Sequence, residues 1–474
     1  MDNTLTFLDN AIIVLYLAAT LIIGIVSGKN VKTIKDYAIG DYKFSTSFLV
    51  ATVCATWLDS GSTFGITEKI YKYGIVYLII FLSESIKMIS ITFIAPNLEK
   101  FRGMLSVGEI MGSLYGKPGR IICGIAATLF CLGLVGAQIN AIGYIFNKFL
   151  GMDTLTGILI GCGIVIIYST FGGIKSVTYT DAMHMGCFAI AVPIIIICYI
   201  MIGKIGSYNY LLAMTPASHL QLFPNTGTPI EFIFIFLLFA IPFLDPALVQ
   251  RILMAKDKNQ IATTFKITAA VIIPFYILAA TTALSIFVLH PNLDPSSALP
   301  FAVKNYLPSG IKGLAITGLI AVVMSSADSF LNTSAISVVH DLINPLRSEP
   351  LTSQQELLTT KIATLVIGLL SILVAVKFNS VIDIIMKFQN TWGPVIVVPL
   401  FAGIFRIKAS SRSFIHAVIA GLSVVIIWMY FGLEAKLGFD SPIPGLIANG
   451  ITFFISNYYY KRTSFSTWII NQDI

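Results

Sequence analysis

The chain has 474 residues, 56% of them hydrophobic and only 11% charged, with a formal net charge of +7. So large an apolar excess exceeds what a soluble core absorbs, which excludes a soluble globular domain and marks an all-α polytopic membrane protein. Membrane topology accounts for the basic excess without nucleic acid, and no extramembrane segment is long enough for a soluble catalytic domain.

Runs of about 20 apolar residues, the length a helix needs to cross a bilayer, predict thirteen spans. They fall at 8–28, 45–67, 74–96, 120–147, 154–172, 179–203, 230–250, 264–290, 312–340, 357–377, 380–405, 413–432 and 443–460. The first lacks a basic leader and a small-residue cleavage site, so it reads as a retained span. All six cysteines (Cys54, Cys123, Cys131, Cys162, Cys187 and Cys198) lie in apolar stretches, against a disulfide framework, and no metal-type His/Cys spacing occurs. One set of alternate loops is rich in Lys and Arg, among them Lys29, Lys100, Arg251, Arg347 and Lys461, and the other is poor. That bias places the C-terminus in the cytoplasm and, with an odd span count, the N-terminus outside.

The second span reads "LVATVCATWLDSGSTFG" and packs Asp59, Ser60, Gly61, Ser62 and Thr63, all poor helix formers, between Trp57 and Gly65. In the third span Glu84 and Lys87 stand three residues apart, a spacing that lets them neutralise each other, a structural pairing favoured over a role toward the substrate. Gln138 and Asn140 on the fourth either line a substrate cavity or act as interhelical glue. The seventh span, "LLFAIPFLDPALVQR", carries Pro242 and Pro246 around Asp245, and each proline frees a backbone carbonyl. Freed carbonyls at membrane depth survive only against protein or a water-filled cavity. The two breaks each open a five-span block, and paired interruptions in corresponding positions point to an inverted-repeat transporter. Trp57, Phe64, Phe239 and Phe243 flank the breaks. Asp383 and Lys387 in the eleventh span invite an ion-pair reading, and "QNTWGP" (Gln389–Pro394, with Asn390) reads as a helix break suited to an outer gate.

The ninth span contains "VVMSSADSFLN". Val322, Ser325, Ser326 and Ser329 fall at i, i+3, i+4 and i+7 on one helix face. Counting from Lys312, Ser325 lies about 20 Å into the bilayer, near its midplane. Ala55 and Leu58 are similarly central in the second span, so a break after Leu58 lets their carbonyls face the serine hydroxyls. Neutral oxygens of this kind suit a small monovalent cation, whereas a divalent ion recruits several carboxylates. Asp59, at the break, either meets a positive nitrogen on the solute or caps the second half-helix.

"SSADSFLNTSAISVVHDL" (Ser325–Leu342), together with "YSTFGGIKSVTYTDAMH" (Tyr168–His184) and the "QR" of "DPALVQRILMAKD", resembles the sodium:solute symporter family. Thirteen spans with an external N-terminus is that family's usual topology, so the resemblance covers nearly the whole chain. It implies a ten-helix, 5+5 inverted-repeat core of the LeuT type (repeats at about 45–203 and 230–405), with one N-terminal peripheral helix (8–28) and two C-terminal ones (about 413–460). It also implies a sodium site formed by the carbonyls of Ala55, Leu58 and Val322 and the hydroxyls of Ser325 and Ser326. A second ion site or release path would involve Asp181, Asp328 and Ser329, where Asp328 replaces a serine common in the family.

The expectation is therefore a secondary active transporter of the cytoplasmic membrane that couples Na⁺ to a small organic solute, an amino acid or organic amine. Its cavity candidates are Trp57, Asp59, Ser60, Ser62, Gln138, Phe239, Phe243 and Asn390. Na⁺ is the coupling ion; no cofactor and no obligate protein partner is expected. The alternatives are a proton-coupled carrier using Asp181 and Asp328, a sodium symporter of a neutral sugar or carboxylate, and a membrane sensor. The chain's end at Ile474, close after the last span, speaks against a sensor carrying a kinase module. An intramembrane enzyme finds no activated nucleophile or paired acid and base.

Overall fold

A computed structural model describes residues 5–191, 203–223, 229–378, 381–390, 392–437, 439 and 441–470. The described residues form helices and connecting turns, without strands. Among the described residues, eight helices are long and apolar enough to cross a membrane, and two shorter apolar helices accompany them. Helix α1 (Phe7–Gly28) starts at a capping box in which Thr6 and Asp9 satisfy each other's backbone donors. The second span is split into α2 (Thr46–Trp57) and α3 (Ile66–Tyr73) by a wide turn over Gly61–Gly65. Then come α4 (Val76–Leu98), α5 (Val107–Leu150) and α6 (Thr154–Met185).

The seventh span is likewise split, into α7 (Pro229–Ala240) and α8 (Pro246–Leu253). After α9 (Lys258–Leu289), α10 (Ile311–Ile336) and α11 (Ser353–Lys377), the eleventh expected span divides into α12 (Val381–Gln389) and α13 (Gly393–Ile404). The chain closes with α14 (Ser411–Tyr430) and α15 (Pro442–Ile470).

The expected fifth and sixth spans run together in α6, but not as one straight rod. Gly173 sits at φ 52°, a conformation that favours glycine. A Cβ there would approach the Tyr37 ring within 2.6 Å, so the "FGG" turn needs its second glycine for space as well. Of the earlier expectations, residues 192–202 of the sixth span, Cys198 and the Asp383 side chain needed for a pair with Lys387 lie outside what is described.

Burial orders the bundle. The apolar window of α10 is 94% buried, against 28% for α1 and 33% each for α11 and α14, so α10 is the axis. It packs against α5 and α6, and α6 packs in turn on α1. Helices α14 and α15 pack on each other and on α13. Exposed Val14, Ile22, Leu369, Leu373, Ile426, Ile451 and Phe454 give the outer faces of these helices the apolar surface that lipid requires. The two broken spans both meet the axis, α2 and α8 each contacting α10.

Candidate functional site

Helix α2 ends at Trp57 because Leu58 leaves helical geometry (φ −82°, ψ 77°). Its last carbonyls are left to other donors, as at any helix C-terminus. The Ser325 hydroxyl donates to Ala55 O at 2.8 Å and to Val322 O at 2.9 Å. The Ser326 hydroxyl lies 3.2 Å from Thr56 O and 3.4 Å from both Ala55 O and Val322 O. Five neutral oxygens from two helices, those of Ala55, Thr56, Val322, Ser325 and Ser326, thus converge at a buried point; among the described residues the serines meet Thr56 O there and not the expected Leu58 O. Back-bonding of serine within its own helix explains the Val322 contacts but not those to α2.

One helical turn along α10 the chemistry changes from neutral to ionic. Asp328 accepts from Tyr168 Oη at 2.6 Å, Ser329 Oγ at 3.3 Å and Thr180 Oγ1 at 3.4 Å. Asp181 accepts from Thr52 Oγ1 at 2.6 Å and lies 4.0 Å from the Arg251 guanidinium. Arg251 also donates to Ser329 and to Gln250, and Ser329 meets Thr56 Oγ1 at 2.9 Å. Arg251 is 2% exposed, so its place among the loop cations of the topology argument is corrected. It lies inside the protein because Asp245 and Pro246 start α8 in mid-membrane, with Asp245 capping Leu248 N at 3.0 Å. Gln250 ties the same helix to Asn332, Thr333 and Ala38 O.

The wide turn of the second span is built around Asp59. One of its oxygens accepts from Ser62 N and the other from Gln138 Nε2, each at 3.0 Å, while Gln138 Oε1 faces Ser60 N at 3.4 Å. This is the capping geometry among the two readings of Asp59. Asn140 lies apart from Gln138 and joins helices, donating to Ala375 O and Phe378 O at the end of α11. At the second break Trp392 Nε1 donates to Phe243 O at 3.0 Å. Asn390 Nδ2 contacts the Met429 sulfur of α14 at 3.9 Å.

Glu84 and Lys87 do not pair directly; among the described residues no carboxylate comes within 4.0 Å of the Lys87 ammonium. Glu84 instead accepts from Trp57 Nε1 at 3.1 Å and from the Tyr276 hydroxyl, and Lys87 faces the Trp57 ring. Of the histidines, His184 bonds Tyr16 and His340 bridges Glu109 and Glu356. Thr52, Thr56, Tyr168, Tyr276 and Arg251 were not among the expected site residues. Thr52 and Thr56, four apart in the otherwise apolar stretch Phe48–Trp57, carried a usable signal.

Residues 37–421 match the model of the "Sodium:solute symporter family". The chain belongs to the sodium:solute symporter family. It is 26% identical over 461 residues to the sodium/sialic acid symporter SiaT of Proteus mirabilis (strain HI4320), covering 90% of each chain. It is 23% identical to the high-affinity proline transporter PutP of Bacillus subtilis (strain 168), over 92% of this chain and 95% of that one. Among solved structures, a substrate-bound, outward-open Na⁺-coupled sialic acid symporter superposes with a TM-score of 0.83 at 23% identity, covering 96% of this chain and 98% of that one. Mhp1, a nucleobase-cation-symport-1 family transporter, gives 0.62 at 13% identity over 90% of this chain and 95% of that one. The fold is therefore the LeuT-type transporter fold. The protein is an integral membrane transporter that couples sodium to the movement of a solute.

Proposed function

We propose that this symporter binds its coupling sodium at the carbonyls of Ala55, Leu58 and Val322 and the hydroxyls of Ser325 and Ser326, and uses it to import an amino acid or a related small organic solute. The observation that carries this reading is the approach of the two serine hydroxyls to Ala55 O and Thr56 O across the α2 break. Oxygens that already converge without a charged ligand suit a monovalent cation, which needs no carboxylate to neutralise it. Inward movement of one positive charge gains about 2.3 kcal/mol per 100 mV, enough for a solute gradient of some tens-fold. Coupling then requires that the ion bind one conformation better than the other.

The same reading places the protein in the cytoplasmic membrane, N-terminus outside and C-terminus in the cytoplasm, with repeats at 45–203 and 230–405. Asp181, Asp328 and Ser329 form a second ion site or release path. Two carboxylates facing one guanidinium leave one formal negative charge, which a second Na⁺ or a proton would balance. That charge count admits the proton-coupled alternative only at this lower site and does not by itself distinguish it from a second Na⁺. Trp57, Ser60, Ser62, Gln138, Phe239 and Phe243 border the solute between the two breaks.

The test is sodium-dependent uptake in proteoliposomes. Ser325→Ala and Ser326→Ala should each raise the sodium concentration for half-maximal uptake by roughly tenfold, a lost ligand being worth about 1.4 kcal/mol. An unchanged sodium dependence in the double variant refutes the assignment.

A further inference from the structure

Lys87 lies midway along α4 and is 7% exposed. Its ammonium stands 4.6 Å from the centroid of the Trp57 ring and 5.8 Å from that of Phe239. Those rings come from opposite halves of the fold: Trp57 is the last residue of α2, and Phe239 is one residue short of the end of α7. Lys87 therefore sits between the two helix breaks, at the level where a transporter of this build holds its solute.

The surrounding acids are all engaged by protein donors. Glu84 takes Trp57 and Tyr276, Asp59 takes Ser62 N and Gln138, and Asp245 caps Leu248 N. The ammonium has three donors, yet among the described residues it makes no hydrogen bond and no ion pair within 4.0 Å; it faces two aromatic rings, with the Glu84 and Asp245 carboxylates acting on it only from farther off. A ring quadrupole restores part of the hydration a buried ammonium loses, but not a hydrogen-bonding acceptor. Ionisable groups inside a membrane are retained where they meet a partner or a substrate. Here the missing partner is an anion.

Building on the symporter reading above, we infer that Lys87 is the specificity-determining residue for the solute and binds its carboxylate. The solute is then an amino acid or another carboxylate-bearing molecule, and not a purely cationic amine. Trp57, which holds the ammonium from one side and donates to Glu84 from the other, links this contact to the broken end of α2. Recognition of the carboxylate thus reaches the helix that carries the proposed sodium ligands.

The experiment uses the full-length protein, purified and reconstituted. Wild type, Lys87→Arg and Lys87→Met are compared for binding of labelled L-proline and sialic acid, with choline and L-prolinamide (carboxylate replaced by amide) as competitors, and for the sodium-induced rise in melting temperature without solute. A carboxylate solute should bind to wild type in a sodium-dependent way, with the amide or choline weaker by roughly 30-fold or more. Lys87→Met should lose that discrimination, Lys87→Arg should retain most of it, and the sodium-induced rise should persist in both. Choline or prolinamide binding as well as the carboxylates, or Lys87→Met keeping carboxylate affinity within about threefold, overturns the inference and leaves the symporter reading standing. A wild-type melting temperature insensitive to sodium overturns that reading and the inference with it.

Discussion

Replacing Arg251 by Met should harm the protein more than any other single change in the lower cluster. The guanidinium is buried, 4.0 Å from Asp181 and hydrogen-bonded to Ser329 and Gln250. At that separation, with an effective dielectric of about 20, one pair contributes about 4 kcal/mol. Asp328, which shares Ser329 with Arg251, also loses its nearest cation. Removing one partner of a buried pair typically costs about 3–5 kcal/mol, because the other charge stays in the protein uncompensated. Arg251→Met should therefore lower the detergent-solubilised protein's melting temperature by several degrees and abolish uptake. Arg251→Met combined with Asp181→Asn should recover most of the lost stability, since the second change removes one of the two stranded charges and returns the cluster to its original net charge, while uptake stays impaired. A size-exclusion thermostability assay and proteoliposome uptake measure the two effects separately. Two results refute the reasoning: Arg251→Met melting within a degree of wild type, or the double variant melting no higher than Arg251→Met alone.

Two further predictions follow from the periphery. In a cysteine-free background, a cysteine at position 3 should react with an impermeant reagent on intact cells and one at position 470 should not; the reverse pattern overturns the orientation. Between the first two spans, Asp36 is raised by partial burial but lowered more by the Lys175 ammonium, at 2.7 Å, and the Thr33 hydroxyl, so its net shift is downward. A lowered carboxylate contributes stability that is complete above its ordinary range and is lost as pH falls through its folded value. Asp36→Asn should thus cost stability near neutrality and make melting less acid-sensitive below about pH 4; equal acid sensitivity in variant and wild type counts against this pairing.

Much of this arrangement was legible because it is local. The Ser325/Ser326 stripe is a helical periodicity, and the second-span break announces itself in consecutive poor helix formers from Asp59 to Thr63. What was not legible depends on partners far along the chain. Arg251 read as a loop cation because Lys256 and Lys258 follow it, and nothing near it in sequence points to Asp181 or Ser329. Glu84 and Lys87 read as an ion pair because spacing on one helix was the only information at hand. Tertiary donors from Trp57 and Tyr276 overrode that spacing, and they left the ammonium free to turn toward the rings.

The two clusters on α10 also bear on how an ion could move a helix. In the structure, the contact of α2 with α10 near the midplane runs through hydroxyl protons donated to carbonyls: Ser325 to Ala55 and Ser326 to Thr56. A cation at the proposed site would need the lone pairs on both sides of those bonds. The serine protons would then have to turn away, and the ion would replace them as the link between the helices. The lower contact, Thr56 Oγ1 to Ser329 Oγ, is carried by the same α2 residue whose carbonyl faces Ser326. Any shift of Thr56 on ion binding must therefore be felt at Ser329 and, through it, at Arg251 and α8. The two broken spans meet the axis at these residues, so an ion at the proposed site would have a direct mechanical route to both breaks. An ion that binds more tightly in one arrangement of these contacts biases the equilibrium by that difference in affinity, which is the requirement for coupling.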